Sequence, residues 1–287
     1  MSQCWSRCGS LYAVARDRVA TVYSVDPATT TLTQLAEIPL RFAAAAMQIH
    51  TQDPVSSSHL LVVGTSAGIL IHEVLPASPV ALAQLLPDVA VSTLTLAPDA
   101  SRLVVGTVDG RIFVLSVEVD AWRRGSCDVQ FSTVLPSPRV TSVSWSQRHN
   151  RVIIATRKGT VHAFCPADGS WKADSKFDAL ATGASSPSQT LVAWWGPQSP
   201  IIAIAARDDP VLLEFHDVFS GRRTQSLRLA PKPQRQASAM AAPSDSDDRH
   251  LVGLCAVMEH DERLVCIDST ATLWVISWPF LSICCPR

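Results

Sequence analysis

Short apolar runs separated by polar turns recur throughout this sequence. The stretch from Arg139 to Phe164, RVTSVSWSQRHNRVIIATRKGTVHAF, shows the pattern most clearly. Val140, Ser142 and Ser144 alternate with Thr141, Val143 and Trp145. Val152, Ile153 and Ile154 form a dense β-branched run, and Val161, Ala163 and Phe164 follow. Two turn signals divide them, Gln147-Arg148-His149-Asn150 and Arg157-Lys158-Gly159. Alternation with a period of two, bounded by Asn and Gly clusters, predicts antiparallel strands joined by tight turns. A three-stranded meander cannot bury its own faces, so it must stack on copies of itself.

The sequence supplies those copies. A first unit has strands near Leu11–Ala15, Val19–Val25 and Leu32–Ile38, with no obvious inner strand before them. A second runs from Phe42 through HLLVVGTSAGILIHEV to VALAQLL, and turns at Thr65-Ser66-Ala67-Gly68. A third, VSTLTLAPDASRLVVGTVDGRIFVLSVEV, turns at Thr107-Val108-Asp109-Gly110. The Arg139 stretch is the fourth, with SWKADSKF as its outer strand. In the fifth, Ala206-Arg207-Asp208-Asp209 replaces the glycine turn, and the sixth begins at HLVGLCAV. Six units average about 48 residues, near the roughly 40–50 of propeller blades. The pattern predicts an all-β, WD40-like β-propeller of six or seven blades of antiparallel sheet. It occupies residues 1–287 as one domain, with a flexible Pro-, Ser- and Ala-rich insertion at about 231–249. Trp-Asp and Gly-His dipeptides are absent, so the blades must rely on apolar packing between sheets. Ala43–Ala46 has a helical alternative, but an inner strand suits its place in the repeat. Asp120–Asp128 reads as a loop carrying Arg123 and Arg124.

Composition narrows the partners. Hydrophobic residues make up 47% of the chain, and the formal net charge is −1. Bulk nucleic acid and anionic lipid are therefore not expected as partners, and charged recognition must come from a local patch. No apolar run reaches the length of a membrane span. The eight cysteines are scattered, and the opening MSQCWSRCGS lacks leader character, so a reducing compartment is expected. Cys4, Cys8, Cys284 and Cys285 could share a zinc ion if the ends met. Their spacing is atypical for zinc and no histidine supports it, so the expectation is thiols without a metal.

Catalytic signals are missing. The sequence holds no nucleophile elbow, phosphate loop, dinucleotide fingerprint or paired-histidine zinc motif. Gly64-Thr65-Ser66-Ala67-Gly68 falls in a hairpin turn, where no nucleophile is presented. His72, His162 and His216 fall on strands and read as structural. Asp109, Asp208 and Asp209 sit in turns, where they cap their own backbone. No catalytic residue, cofactor or metal is expected. Trp145, Trp194, Trp195 and Trp274 read as blade-packing residues, and the adjacent Trp194 and Trp195 must point to opposite faces of one strand. The best charge feature is Arg222, Arg223, Arg228, Lys232 and Arg235, with no acid between Asp217 and Asp245. It is a candidate docking patch for an acidic protein surface. It has no interleaved aromatics for stacking on RNA bases.

The order of these phrases carries a resemblance. LPSPRVTSVSWSQ…GTVHAF follows the TVDGRIFVLSVEV unit and precedes LVAWWGPQSPIIAIAARDD, and MEHDERLVCIDSTATLWVIS comes later. From about Val91 to Ser277 the chain resembles the N-terminal β-propeller of the cytoplasmic-face FG nucleoporin of messenger RNA export. That resemblance implies a seven-bladed propeller, at the cytoplasmic face of the nuclear pore complex, that docks a DEAD-box RNA helicase and associates with other nucleoporins. No coiled coil or FG repeat follows in this sequence, and the family's helicase-contacting arginines have no residue-by-residue match here. The patch around Arg222 stands on this sequence alone. The alternative reading is a divergent scaffold subunit of a coat, ciliary or ubiquitin-ligase assembly, in the cytoplasm. Both readings are non-enzymatic.

Overall fold

A computed structural model describes residues 2–6, 10–26, 31–51, 59–75, 79–97, 99–136, 139–146, 151–167, 170–178, 190–195, 201–206, 212–218, 220–228, 251–257, 263–268 and 273–277. These form six antiparallel sheets in chain order. The first holds β1 (Ser2–Trp5), β2 (Leu11–Arg16), β3 (Val19–Asp26) and β4 (Thr31–Pro39). The second holds β5 (Ala44–Thr51), β6 (His59–Thr65), β7 (Gly68–Val74) and β8 (Val80–Leu85). The third holds β9 (Val91–Leu96), β10 (Arg102–Thr107), β11 (Arg111–Ser116) and β12 (Val129–Val134), with α1 (Val119–Arg123) between its last two strands. The fourth holds β13 (Val140–Ser146), β14 (Arg151–Thr156), β15 (Thr160–Ala167) and β16 (Ser170–Asp178). The fifth holds β17 (Thr190–Trp195), β18 (Ile201–Ala206), β19 (Leu212–Asp217) and β20 (Arg223–Arg228). The sixth has β21 (Leu251–Val257), β22 (Arg263–Asp268) and β23 (Leu273–Ser277). Innermost strands pack in succession, β1 on β5, β5 on β9, β9 on β13, β13 on β17 and β17 on β21.

The core lies between sheets, because each central strand feeds two interfaces. On β6, Leu61 and Val63 face the first sheet while Leu60 and Val62 face the third. On β10, Leu103 and Val105 face the second sheet and Val104 faces the fourth. On β14, Val152 and Ile154 join the third sheet, and Ile153 and Ala155 join the fifth. A strand covered on both sides must be apolar at every position, so LLVV, LVV and VII appear as unbroken runs. On β2 the burial alternates: Leu11, Ala13 and Ala15 are buried against the second sheet. Tyr12 and Val14 on its other face are only half-buried, and the Tyr12 and Tyr23 rings stack 6.2 Å apart.

One irregularity recurs. The outermost strand of all five four-stranded sheets carries one extra residue: Leu35, Leu82, Gln130, Asp174 and Thr224. Four innermost strands carry another near their start, at Ala45, Ser92, Thr141 and Val252. Each such bulge adds local right-handed twist. Their recurrence gives successive sheets a common shape, and hence a common way to stack.

Two expectations are corrected. The first sheet does have an inner strand, β1, whose Cys4 is buried in the interface with the second sheet. Residues 120–128 are not all loop, because α1 begins the segment and drives Trp122, fully buried, between the second and third sheets. Trp122 Nε1 donates to the Ser116 carbonyl at 3.1 Å, and Arg123 bridges to Glu73 of β7 at 2.8 Å. Within the alanine run, residues 44–46 form the expected inner strand. The expected insertion at 231–249 lies outside the described residues.

Candidate interaction surface

Up-and-down strand order sends every turn between second and third strands to one end of the stack. The connections from one sheet to the next reach that same end. In the first four sheets backbone hydrogen bonds tie the turn to a neighbouring connection. Leu40 N donates to Arg18 O at 2.7 Å, Val108 N to Ala90 O at 2.9 Å, and Leu135 N to Gly110 O at 2.9 Å. Asp88 N reaches Ala67 O at 3.3 Å, and Arg157 N reaches Arg139 O at 2.9 Å. The turns of the second, third and fourth sheets share a buried threonine at their start (Thr65, Thr107, Thr156) and a glycine at their close. Gly68, Gly110 and Gly159 all have positive φ, a region costly to any residue with a Cβ. Thr107 Oγ1 accepts from Arg111 N at 2.8 Å, contacts Arg111 O at 3.0 Å, and pairs with the Asp109 carboxylate. That last hydrogen bond is the main cause holding the Asp109 carboxyl below its ordinary range. Asp109 thus braces its own turn, as expected from its position; Asp208 and Asp209 lie outside the described residues.

The residue before each threonine is small because the next sheet begins against it. A Cβ on Gly64 would meet Val91 Cγ1 at 2.5 Å, and one on Gly106 would meet Val140 Cγ1 at 2.5 Å. Ser92 makes the same junction polar, donating to Gly106 O or to Val140 O across the sheet boundary, at 3.1 and 2.6 Å.

The structure divides the sequence-predicted patch, and only Arg222 and Arg223 are placed at the opposite end. Arg222 sits in the turn before β20 and is exposed. Arg223 opens β20, and its Nη1 lies 2.8 Å from Glu214 Oε1. Arg228 closes the same strand, on the strand's far end, and only its backbone is described. Lys232 and Arg235 lie outside the described residues. Glu214 also lies 3.1 Å from His216 Nε2, and His216 Nδ1 lies 3.2 Å from Gly221 O. Burial pushes the Glu214 carboxyl up, but hydrogen bonds from Arg223 and His216 outweigh it and leave it below its ordinary value.

The histidines have a structural explanation. The position paired just past each outer-strand bulge is Tyr23, His72, Leu115, Phe164 and His216 in the five sheets. His72 and His216 therefore occupy a packing position that other sheets fill with leucine or aromatics. Burial holds the His72 imidazole below its ordinary pKa. His162, on β15, is buried and its ring stacks 6.3 Å from Phe164. Among the described residues no three His, Cys, Asp or Glu side chains gather as metal ligands, and no helix is long and apolar enough to cross a membrane. Cys4, Cys127 and Cys165 are free thiols; Cys8, Cys284 and Cys285 lie outside the described residues. Trp145 packs half-buried on the interface between the third and fourth sheets. The side chains of Trp194, Trp195 and Trp274 are not among those described.

No protein-family model and no curated protein matches the chain. Among solved structures, the crystal structure of the β-propeller domain of Cps50 (Swd1) from Myceliophteria thermophila is similar over 94% of this chain and 79% of that chain. Its TM-score is 0.64 at 12% identity. The chain is a WD40-like β-propeller. Its six sheets are blades, and the two ends of the stack are the faces of the propeller. At that identity the likeness concerns the fold alone. In all, 1689 solved chains match, so the architecture by itself selects no partner.

Proposed function

We propose that this propeller is a single-domain, non-enzymatic docking platform of the nucleoporin type, engaging a DEAD-box RNA helicase at the cytoplasmic face of the nuclear pore. The observation that carries the reading is the placement of the family-like phrase. RVTSVSWS and RVIIATRKGTVHAF hold the inner three strands of the fourth blade, locked between the third and fifth by two apolar interfaces. That part of the chain is scaffold, which leaves turns and outer strands for recognition. In this reading Arg222 and Arg223 hold an acidic surface of the helicase, assisted by Arg228, Lys232 and Arg235. Other nucleoporins share the platform.

Arg223 favours a second reading. Its guanidinium is already engaged by Glu214, so the patch offers less free charge than its sequence suggests. A scaffold subunit of a coat, ciliary or ubiquitin-ligase assembly in the cytoplasm needs no such patch. Two measurements separate the readings. The chain tagged in cells should mark the nuclear rim, and the purified chain should bind the helicase of messenger RNA export. Arg222→Glu with Arg223→Glu should weaken that binding without changing the melting temperature. Diffuse cytoplasmic signal together with no helicase binding would reject the nucleoporin reading.

A further inference from the structure

The two faces of the propeller differ in charge over the first four blades. On the face built from second-to-third-strand turns and blade connections, the first blade and its exit carry exposed Arg16, Arg18 and Arg41. The third and fourth blades add exposed Arg111, Arg139, Arg157 and Lys158. Against these seven cations stand Asp17, Asp88, Asp109 and Asp178, the last closing β16 opposite Thr160, with exposed Glu37 two residues in from the edge on β4. Among the described residues the opposite face of the same blades carries a slight acidic excess, Asp26, Glu73, Asp99, Glu118, Asp120 and Asp128 against Arg102, Arg123, Arg124, Arg151 and Lys172. The net charge of −1 for the whole chain conceals this division.

Two further observations fall on the cationic face. Of the five non-glycine residues with positive φ among the described residues, four lie on it: Asp17, Leu86, Asp88 and Arg139, at 53°, 46°, 64° and 61°. At Arg139 the hydrogen bond from Arg157 N fixes the carbonyl. That contact sets two arginines side by side against their mutual repulsion. Exposed valines also interrupt the cations. Val108 is 43% exposed, and Val134, paired with Arg111 across β11 and β12, is 65% exposed. Phe42 lies beneath Arg41, whose guanidinium carbon is 5.4 Å from the ring centroid.

We propose that this face of the first four blades docks an acidic polypeptide segment that also carries apolar side chains. Carboxylates of the segment pair with Arg139, Arg157 and Lys158, while its apolar residues cover Val108 and Val134. The ion pair of Arg111 with Asp109 is more than half exposed on both sides, so it opens at little cost. A phosphate backbone is the poorer fit, because uncovered valines gain nothing from it and Phe42 is already stacked. The inference rests on the docking-platform reading but not on Arg222 and Arg223, which lie on the other face.

The test uses the full chain and labelled peptides of about 12 residues, roughly 40 Å when extended. One peptide alternates Glu with Leu, one is all Glu, and a single-stranded oligonucleotide of similar length is the third probe. Anisotropy should show the Glu-Leu peptide binding most tightly, and affinity should fall as salt shortens the screening length from roughly 14 Å to roughly 6 Å. Arg139→Glu, Arg157→Glu and Lys158→Glu together should weaken binding at least about tenfold. The neutral set Arg139→Gln, Arg157→Gln and Lys158→Gln should give an intermediate loss at wild-type melting temperature. Arg222→Glu with Arg223→Glu should leave this binding unchanged, and zero-length coupling of peptide carboxylates should label Lys158. Unchanged affinity in both triple variants overturns the proposal, as does tighter binding of the oligonucleotide. Loss of peptide binding only in the Arg222 and Arg223 variant also overturns it, while leaving the docking-platform reading standing.

Discussion

Gly106→Ala adds one methyl group where the third and fourth blades meet. The new Cβ would lie 2.5 Å from Val140 Cγ1 and 2.8 Å from both Val140 Cβ and Thr93 Cγ2. Carbon atoms prefer about 3.5–4.0 Å, so the overlap is roughly 1 Å. Val140 has little room to yield: it is fully buried, β-branched, and opens the innermost strand of the next blade. Overpacking of this kind costs about 1–3 kcal/mol. Replacing a strand glycine returns about 0.5–1 kcal/mol of backbone entropy. The net loss should be about 1–2 kcal/mol, a fall of roughly 2–8 °C in melting temperature. Thermal and urea unfolding followed by circular dichroism read it directly. Adding Val140→Ala removes the offending Cγ1, so the double variant should be more stable than the sum of the singles by about 1 kcal/mol. A Gly106→Ala protein as stable as wild type, or strictly additive energies in the cycle, would show that close blade approach does not set this position.

Trp122→Ala should destabilise by about 3–5 kcal/mol, because a fully buried indole and its hydrogen bond to Ser116 are both lost; a denaturant titration checks this. Thr107→Val should cost about 1–2 kcal/mol, since the hydroxyl serves Arg111 and Asp109. Thr156→Val should be neutral or stabilising by the same assay, because Thr156 Oγ1 is buried with no hydrogen-bond partner. Burial holds His72, His50 and His59 below their ordinary pKa of 6.5. The unfolded chain therefore takes up protons first as pH falls, so stability present above pH 6.5 is lost below it. His72→Leu, the residue found at the matching position in the third blade, should reduce the fall in unfolding midpoint between about pH 7.5 and about pH 5.5.

Where a strand is covered on both sides or alternates cleanly, its sequence was enough to place it. Val19–Asp26, His59–Thr65 and Arg151–Thr156 lie within a residue or two of their expected bounds. β1 was missed because four residues with a single buried apolar position named by the structure, Cys4, carry no period. Its signal is long-range, the pairing of Gln3 with Val14 and Cys4 with Ala13. α1 was missed because one turn of helix is too short to show a period of 3.6. A lone tryptophan in a charged segment was its sole clue. Charge was harder to read than fold. The run from Arg222 to Arg235 is dense along the chain, whereas the cationic face is assembled from residues as far apart as Arg16 and Lys158. Only the up-and-down order of strands brings those positions to one end.

The turns show why recognition can reside at that end without disturbing the fold. In each of the middle blades the outer residues of the turn are fixed by packing. The threonine is buried, and the glycine takes a φ that side chains avoid. The two residues between them are constrained by neither requirement. They are Ser66-Ala67 in the second blade, Val108-Asp109 in the third and Arg157-Lys158 in the fourth. Small, mixed and cationic pairs thus occupy the same backbone frame. The chain connections from the second to the third and from the third to the fourth blade are each held by two backbone hydrogen bonds to the flanking turns, which leave their side chains open to change. A charge placed at such a position alters the surface without entering the interfaces between blades. The blades can therefore stay apolar and interchangeable while the face they share acquires its own sign.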